Sequence, residues 1–337
     1  MTSSAYEYHN TWEGAFGKEP APEHDHTHCQ GHDHDHDHEH EHSPIDELVT
    51  VRDLVRYATS RFNRKNLFFG HGLQDAYDEA VYLVLRTLHL PLDRLEPFLD
   101  ACIPSDERAE VLAIIHRRSD ERIPSAYLTK EAWLGDFRFY VDERVIVPRS
   151  FCAELIEGGL APWIEDDEEV ATALDLCTGS GCLAILMAHR FPNAQIDAID
   201  LSPDALAVAQ LNVDEYQLGE RIRLIESDVF AALGAERYDL ILSNPPYVTQ
   251  ASVESLPDEY LHEPAMALGA GDDGMDIVRQ IIAGARQHLS ENGILLVEVG
   301  HNREQFEAAF PTLEAVWLSN ASEEEKVLLL RADQLPE

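Results

Sequence analysis

Positive charge is what this sequence most lacks: 25 Lys and Arg stand against 63 Asp and Glu in 337 residues, a formal net charge of −38. Such a chain has no spare positive field for neutralising phosphates, which speaks against direct binding to duplex DNA and favours a basic partner. The deficit is general, since 24 basic and 53 acidic side chains follow residue 44. Cysteine is scarce as well. Cys29, Cys102, Cys152, Cys177 and Cys182 include no CxxC pair, an odd and dispersed set that suits a reducing compartment better than a disulfide framework. No run approaches the ~18 apolar residues needed to cross a bilayer. The acidic, His-rich start offers neither the basic nor the apolar region of a secretory signal. A cytoplasmic protein with no membrane partner is expected. Also missing is a lysine-bearing P-loop, which argues against a nucleoside triphosphate ligand.

What is present falls into four blocks. Residues 1–44 hold ten of the 17 histidines, culminating in the alternating His-Asp and His-Glu run from His32 to His42. This block has too little apolar surface to offset its ordering entropy and is expected to be a disordered acidic tail. Its imidazoles and carboxylates are competent ligands for weak divalent metal binding, but a flexible tract has no fixed geometry, and no metal-site residues are assigned.

Residues 45–124 read as a helical bundle. Ser43-Pro44 followed by Asp46 and Glu47 is a helix start signal, with Leu48, Val51, Leu54, Val55 and Ala58 recurring behind it. Further helices are expected over Ala76–Leu88, Leu92–Cys102 and Ser105–Arg118, with Ile123-Pro124 as the exit. Residues 125–149 change period. Trp133, Phe137, Phe139, Val141, Val145 and Val147 predict a linking β-hairpin turning at Gly135-Asp136.

Residues 150–337 alternate. Buried strands are predicted at Ala171–Leu176, Ile196–Ile199, Ile222–Ile225, Leu240–Leu242 and Ile294–Val299, with helices over Pro203–Leu218 and Gly274–Leu289 and a terminal hairpin of Ala315–Leu318 and Lys326–Arg331. That order predicts an open, largely parallel α/β sheet covered on both faces, with its ligand at the carboxyl ends of the strands.

Candidate functional residues sit at those ends. Asp175, Cys177, Thr178, Gly179, Ser180 and Gly181 lie where the first strand turns into a helix, and the glycines allow close backbone approach to a ligand. Such turns also serve dinucleotides and phosphates. Asp200, about 20 residues on, suits a ribose diol. Asp228 and Val229 end the third strand, and Asp228 either flanks an adenine or caps a short helix. The fourth strand runs into Asn244-Pro245-Pro246-Tyr247. Prolines fix the backbone there and leave carbonyls without intrachain partners. The Asn244 amide with a freed carbonyl can accept both hydrogens of a planar NH2 group, and Tyr247 can stack on its plane.

These motifs resemble the protein-glutamine N5-methyltransferase family of class I S-adenosylmethionine-dependent enzymes. The resemblance runs from about Asp46 to the C-terminus. It also rests on Ala126-Tyr127-Leu128-Thr129, Val147-Pro148-Arg149-Ser150 and Glu263-Pro264-Ala265-Met266-Ala267-Leu268. Cys177, where most class I enzymes have glycine, resembles the branch acting on large-subunit ribosomal protein number three. The resemblance implies a Rossmann-like catalytic domain behind a helical substrate-recognition domain, with S-adenosyl-L-methionine as cofactor. It also implies a cofactor pocket shaped by the residues from Asp175 to Gly181 with Asp200, Asp228, Val229 and Asn244. The implied acceptor is a glutamine on a basic large-subunit ribosomal protein, gripped by Asn244 and the Pro245 carbonyl with Tyr247 against it. Glutamine methylation of release factors and adenine-N6 methylation of nucleic acid are the alternatives within this chemistry. A metal-binding or ribosome-assembly module working through the His tract is the non-enzymatic one.

Overall fold

The first described helix begins at Val51, and a local exchange of hydrogen bonds sets that start. The computed structural model describes residues 47–253, 255–319 and 324–336, so the tail through Asp46, with its expected disorder, metal binding and Ser43-Pro44 signal, lies outside the described residues. Thr50 caps α1 (Val51–Arg64): its hydroxyl accepts from the Asp53 backbone N–H while the Asp53 carboxylate accepts from the Thr50 N–H at 2.9 Å. Val49 just before it is drawn into pairing with Ile103, whose N–H donates to the Val49 carbonyl at 3.0 Å, and Thr50 bridges Cys102. Leu48, expected within this helix, lies ahead of it in irregular backbone.

Next come α2 (Ala76–Thr87), α3 (Ser105–His116) and α4 (Ser125–Thr129). The helix expected over Leu92–Cys102 is absent and only a single turn, Glu96–Phe98, forms there. Pro97 sits inside it, without an N–H and with a ring that clashes with the preceding turn. The Leu99 and Ala101 carbonyls instead accept from Arg52 and Val51. Beyond α3 the chain makes a π-helical turn, Arg117–Glu121, that ends in left-handed backbone at Arg122.

The hairpin is β1 (Ala132–Leu134) and β2 (Phe137–Phe139), antiparallel, with Leu134 opposite Phe137 across the Gly135-Asp136 turn. It is shorter than the period suggested. Tyr127 belongs to α4, and Val141, Val145 and Val147 are buried in irregular backbone, where they pack without a strand partner.

The remaining elements are α5 (Phe151–Gly158), β3 (Thr172–Leu176), α6 (Cys182–Arg190), β4 (Gln195–Asp200), α7 (Pro203–Glu215), β5 (Ile222–Glu226), β6 (Tyr238–Ser243), α8 (Gln250–Val253), α9 (Asp276–His288), β7 (Leu289–Glu298), α10 (Arg303–Ala309), β8 (Val316–Ser319) and β9 (Glu325–Arg331). The seven strands of the large sheet run in the order β5-β4-β3-β6-β7-β9-β8. The first five are parallel, and β9 and β8 close the edge antiparallel. Alternate residues face opposite sides. Ala173, Leu240, Leu242, Leu296 and Leu329 pack with α5, α6 and α7, whereas Leu174, Leu176, Ile241, Leu295, Val297 and Leu330 pack with α9 and α10. With both faces covered, the strands carry near-continuous apolar runs, each fully buried leucine contributing about 2 kcal/mol.

Register then decides where function can sit. Leu176 pairs with Ile199 and with Ser243, Asp200 with Glu226, and Ser243 with Val297. The segments that follow β3, β4, β5, β6 and β7 thus emerge along one edge. The strand order reverses between β4 and β6, on either side of β3, which is where an open α/β sheet leaves a crevice.

Candidate active site

A cleft opens at that reversal. Its walls are Cys177 and Gly179 after β3, Asp200, Leu201 and Ser202 after β4, Ser227, Asp228 and Val229 after β5, and Asn244 and Pro246 after β6. Arg144, Val145 and Ile146 from the irregular segment after the hairpin complete its lining, with Pro264, Met266, Ala267 and Ile277. Of the expected site residues, Cys177, Gly179, Asp200, Asp228, Val229, Asn244 and Pro246 line the cleft together. Asp175, Thr178, Ser180 and Gly181 lie behind its surface, and Pro245 and Tyr247 belong to the turn that carries Asn244 and Pro246.

Those behind it hold the turn. Asp175 is fully buried, and one carboxylate oxygen accepts from Thr178 Oγ1 at 2.6 Å and the Ala184 N–H at 3.0 Å. Burial pushes its carboxyl up to about 7 against those two bonds. The Thr178 N–H donates to the Ile199 carbonyl, and Asn212 donates to the Ser180 carbonyl at 2.8 Å. Gly181 has φ +79°, and a Cβ there would meet the Ala209 Cβ at 3.2 Å, so glycine lets α6 start close against α7.

Cys177 takes φ +62° without being glycine, a conformation costing about 1 kcal/mol, and Val229 takes φ +48°. Two strained non-glycine residues facing one cleft fit the clustering of backbone strain at functional sites. Burial pushes the Cys177 thiol up, so it stays protonated and is no nucleophile. Asp200 accepts from the Gly179 N–H and the Ser202 N–H, both at 2.9 Å, one on each oxygen. Each oxygen keeps a lone pair for a hydroxyl. Asp228 is exposed and caps no helix: the chain beyond it makes only turns, and the Ala232 N–H is taken by Ser227 Oγ.

The Asn-Pro-Pro-Tyr turn is braced from three directions. Asn244 Nδ2 donates to the Arg149 carbonyl at 3.3 Å. The Tyr247 hydroxyl donates to Glu298 Oε1 at 3.2 Å, and its ring covers Gly300, where a Cβ would lie 2.6 Å from it. Asn302 Nδ2 donates to the Tyr247 carbonyl at 2.5 Å. The Pro245 carbonyl takes no hydrogen bond from the described residues.

Arg149 is fixed in turn by a two-pronged bond to Glu263, at 2.5 and 2.6 Å, and Glu263 also accepts from the Val147 N–H. The two motifs Val-Pro-Arg-Ser and Glu-Pro-Ala-Met-Ala-Leu are therefore cross-braced, which no local period in the sequence reveals. Burial alone would raise the Glu263 carboxyl. The Arg149 bonds and charge, with His71 at 3.5 Å, outweigh it and bring the carboxyl down to about 2. A carboxyl lowered from 4.5 contributes stability that is complete above 4.5 and lost as pH falls toward 2. The stability gap between wild type and Glu263→Gln, followed by urea unfolding, is expected to be constant above that value and to close below it. A gap that stayed flat through the acid range would refute the brace.

Sequence reasoning missed Arg144, Ile146, Met266 and Ile277 as cleft residues, and Glu298. Glu298 left a signal, being an acid inside the otherwise apolar run Ile294–Val299, and Met266 stands within the motif Glu263–Leu268.

Comparison with known proteins bears on this site. The "Methyltransferase small domain" family model matches residues 160–271. A "Ribosomal protein uL3 glutamine methyltransferase" of Neisseria meningitidis serogroup B is 60% identical over 289 residues, 86% of this chain and 95% of that one. A protein of the same name from Burkholderia pseudomallei is 59% identical over 294 residues, 85% of this chain and 96% of that one. Another from Francisella tularensis is 42% identical over 291 residues, 86% and 93% of the two chains.

Proposed function

The chain belongs to the ribosomal protein uL3 glutamine methyltransferases, and on that footing we propose that Asn244-Pro245-Pro246-Tyr247 holds the acceptor glutamine beside S-adenosylmethionine in the cleft. The activity is N-methylation of a glutamine side chain on a large-subunit ribosomal protein. One observation carries the residue assignment. Asn244 spends its Nδ2 on the Arg149 carbonyl, which leaves Oδ1 as an acceptor on a cleft-lining side chain.

The residues present fit the cofactor. Asp200 offers a lone pair on each oxygen to a ribose diol, and Leu201, Val229 and Ile277 supply apolar walls for a purine. The acids Asp200 and Asp228 suit a cation, and a Cβ built at Gly179 meets nothing within 4 Å, so the turn leaves room. S-adenosylmethionine supplies an electrophilic methyl group on a sulfonium. A primary amide is a poor nucleophile, because its lone pair is delocalised into the carbonyl. The protein's contribution is therefore positioning: Asn244 Oδ1 and the Pro245 carbonyl each accept one hydrogen of the NH2 group and orient its nitrogen. The same acceptors stabilise positive charge developing on that nitrogen. No strong base is required, since the methylated nitrogen is acidic enough to lose a proton.

The acidic surface suits a basic acceptor and disfavours duplex DNA. The helical segment 45–124 is assigned to acceptor recognition. It reaches the site through Phe68 and His71, whose rings lie 5.7 and 4.6 Å from that of Tyr260, itself 5.2 Å beneath Arg149. Phe68 and Leu261 stand exposed beside that contact. The activity is placed in the cytoplasm, where ribosomal proteins are made. No helix among the described residues is long and apolar enough to cross a membrane.

The test is incubation with labelled S-adenosylmethionine and, separately, purified uL3 and a peptide release factor, followed by mass-spectrometric mapping. Methyl on a uL3 glutamine is the expected result. Label on the release factor alone would reassign the acceptor, and label on neither would overturn the reading.

A further inference from the structure

Glu298 ends β7, the strand paired with β6 so that Ser243 faces Val297. One residue further along each strand, Asn244 and Glu298 come to the same sheet edge. The Glu298 side chain is 1% exposed, and its partners are neutral donors from two other segments of the chain. Oε1 accepts from the Tyr247 hydroxyl at 3.2 Å, and Oε2 accepts from Ser150 Oγ at 2.6 Å and from the Phe151 N–H at 2.9 Å. Burying a carboxylate against neutral donors is costly, and a leucine would fill similar space without that cost. What a leucine cannot do is accept hydrogen bonds on two sides at once.

The two sides are informative. One holds the tyrosine of the Asn-Pro-Pro-Tyr turn. The other holds Ser150 and Phe151, the residues directly after Arg149, whose carbonyl fixes Asn244. Ser150 Oγ also accepts from the Cys152 N–H at 3.1 Å, so the bond to Glu298 anchors a helix start as well as a hydroxyl.

We propose that Glu298 is the positioning residue of methyl transfer, setting the Tyr247 ring with one oxygen and, through Ser150 and Phe151, the Arg149 carbonyl that orients Asn244 with the other. This rests on the glutamine-methylation reading above. Glu298 itself is buried behind the turn and does not line the cleft, so it acts through the residues it holds. Its effect is felt as the precision with which the amide nitrogen is presented, and this form of catalysis is sensitive to small displacements.

Glu298→Gln in the full chain keeps the shape and one strong acceptor. Its kcat/KM for uL3 is expected to fall about tenfold, the scale of one lost hydrogen bond in the transition state, with the S-adenosylmethionine dissociation constant unchanged by calorimetry. Tyr247→Phe, which removes only the hydroxyl, should lose a comparable factor. The double variant should be little worse than either single one, because the two act as a unit. A merely structural role would instead weaken cofactor binding in parallel and give additive losses, and either result overturns the proposal, as does wild-type turnover in Glu298→Gln. Should Glu298→Gln not fold, Tyr247→Phe and Ser150→Ala each cut one arm and decide the question: both must slow transfer with cofactor affinity intact, and wild-type turnover in either refutes it. Failure of the wild-type enzyme to methylate glutamine would defeat the functional reading itself. A wild-type enzyme that methylates normally beside an unimpaired Glu298→Gln would defeat the positioning role alone.

Discussion

Asn244→Ala loses on the order of a thousandfold in kcat/KM, the upper range for removal of one preorganised polar group facing developing charge, while S-adenosylmethionine still binds. The variant removes the Oδ1 acceptor and also frees the Arg149 carbonyl, to which Nδ2 donates at 3.3 Å. The residues proposed to hold the cofactor sit on different strands. The Asp200 bonds to Gly179 and Ser202 and the Asp175 bonds to Thr178 and Ala184 do not involve Asn244. Steady-state kinetics with uL3, paired with calorimetric titration of S-adenosylmethionine, separates the two effects. Retained turnover would sink the acceptor assignment. Parallel loss of cofactor affinity would move Asn244 from the acceptor to the cofactor.

The second large effect is on stability. Arg118→Ala is expected to cost about 3–5 kcal/mol, a large share of the ~5–15 kcal/mol that holds a folded domain together. Arg118 is 1% exposed in the π-helical turn after α3. Its guanidinium reaches Glu79 of α2 through Nε, Glu259 at 3.4 Å through Nη1 and the Phe68 carbonyl at 2.9 Å through Nη2. Both carboxylates are buried. Truncation leaves Glu79 without its cation, whereas Glu259 keeps Arg122 at 3.1 Å, and the cost arises chiefly from the stranded Glu79 charge. Urea unfolding of the wild type and variant measures it. Adding Glu79→Gln to Arg118→Ala should recover part of the loss by removing the stranded charge. A penalty under about 1 kcal/mol, that of one ordinary hydrogen bond, would show that water reaches the cluster.

How much of this was legible in the sequence depends on the range of the interactions involved. The parallel strands could be read because burial on both faces leaves apolar runs that local inspection detects, and β3 to β7 fall where those runs lie. The Gly135-Asp136 turn could be read because turn chemistry is local. The start of α1 could not, because the Thr50–Asp53 exchange cuts across an apolar spacing that runs on from Leu48. The Leu92–Cys102 segment misled because its apolar spacing is helical while Pro97 and its pairing with the start of α1 forbid the helix. Within the site, the residues at strand ends announced themselves by composition. The pairings of Glu263 with Arg149 and of Glu298 with Ser150 did not, because those partners lie 114 and 148 residues apart and only the fold brings them together.

The reversal of strand order beside β3 also has an evolutionary meaning. On the proposed assignment, strands β3, β4 and β5 deliver the cofactor-side residues, whereas β6 and β7 deliver the turn and the carboxylate that would brace the acceptor. Selection for a new target can therefore work on one half of the sheet and leave the other half under its old constraint. A lineage built this way can exchange substrates by drift in β6, β7 and the helical segment while inheriting its methyl donor unchanged.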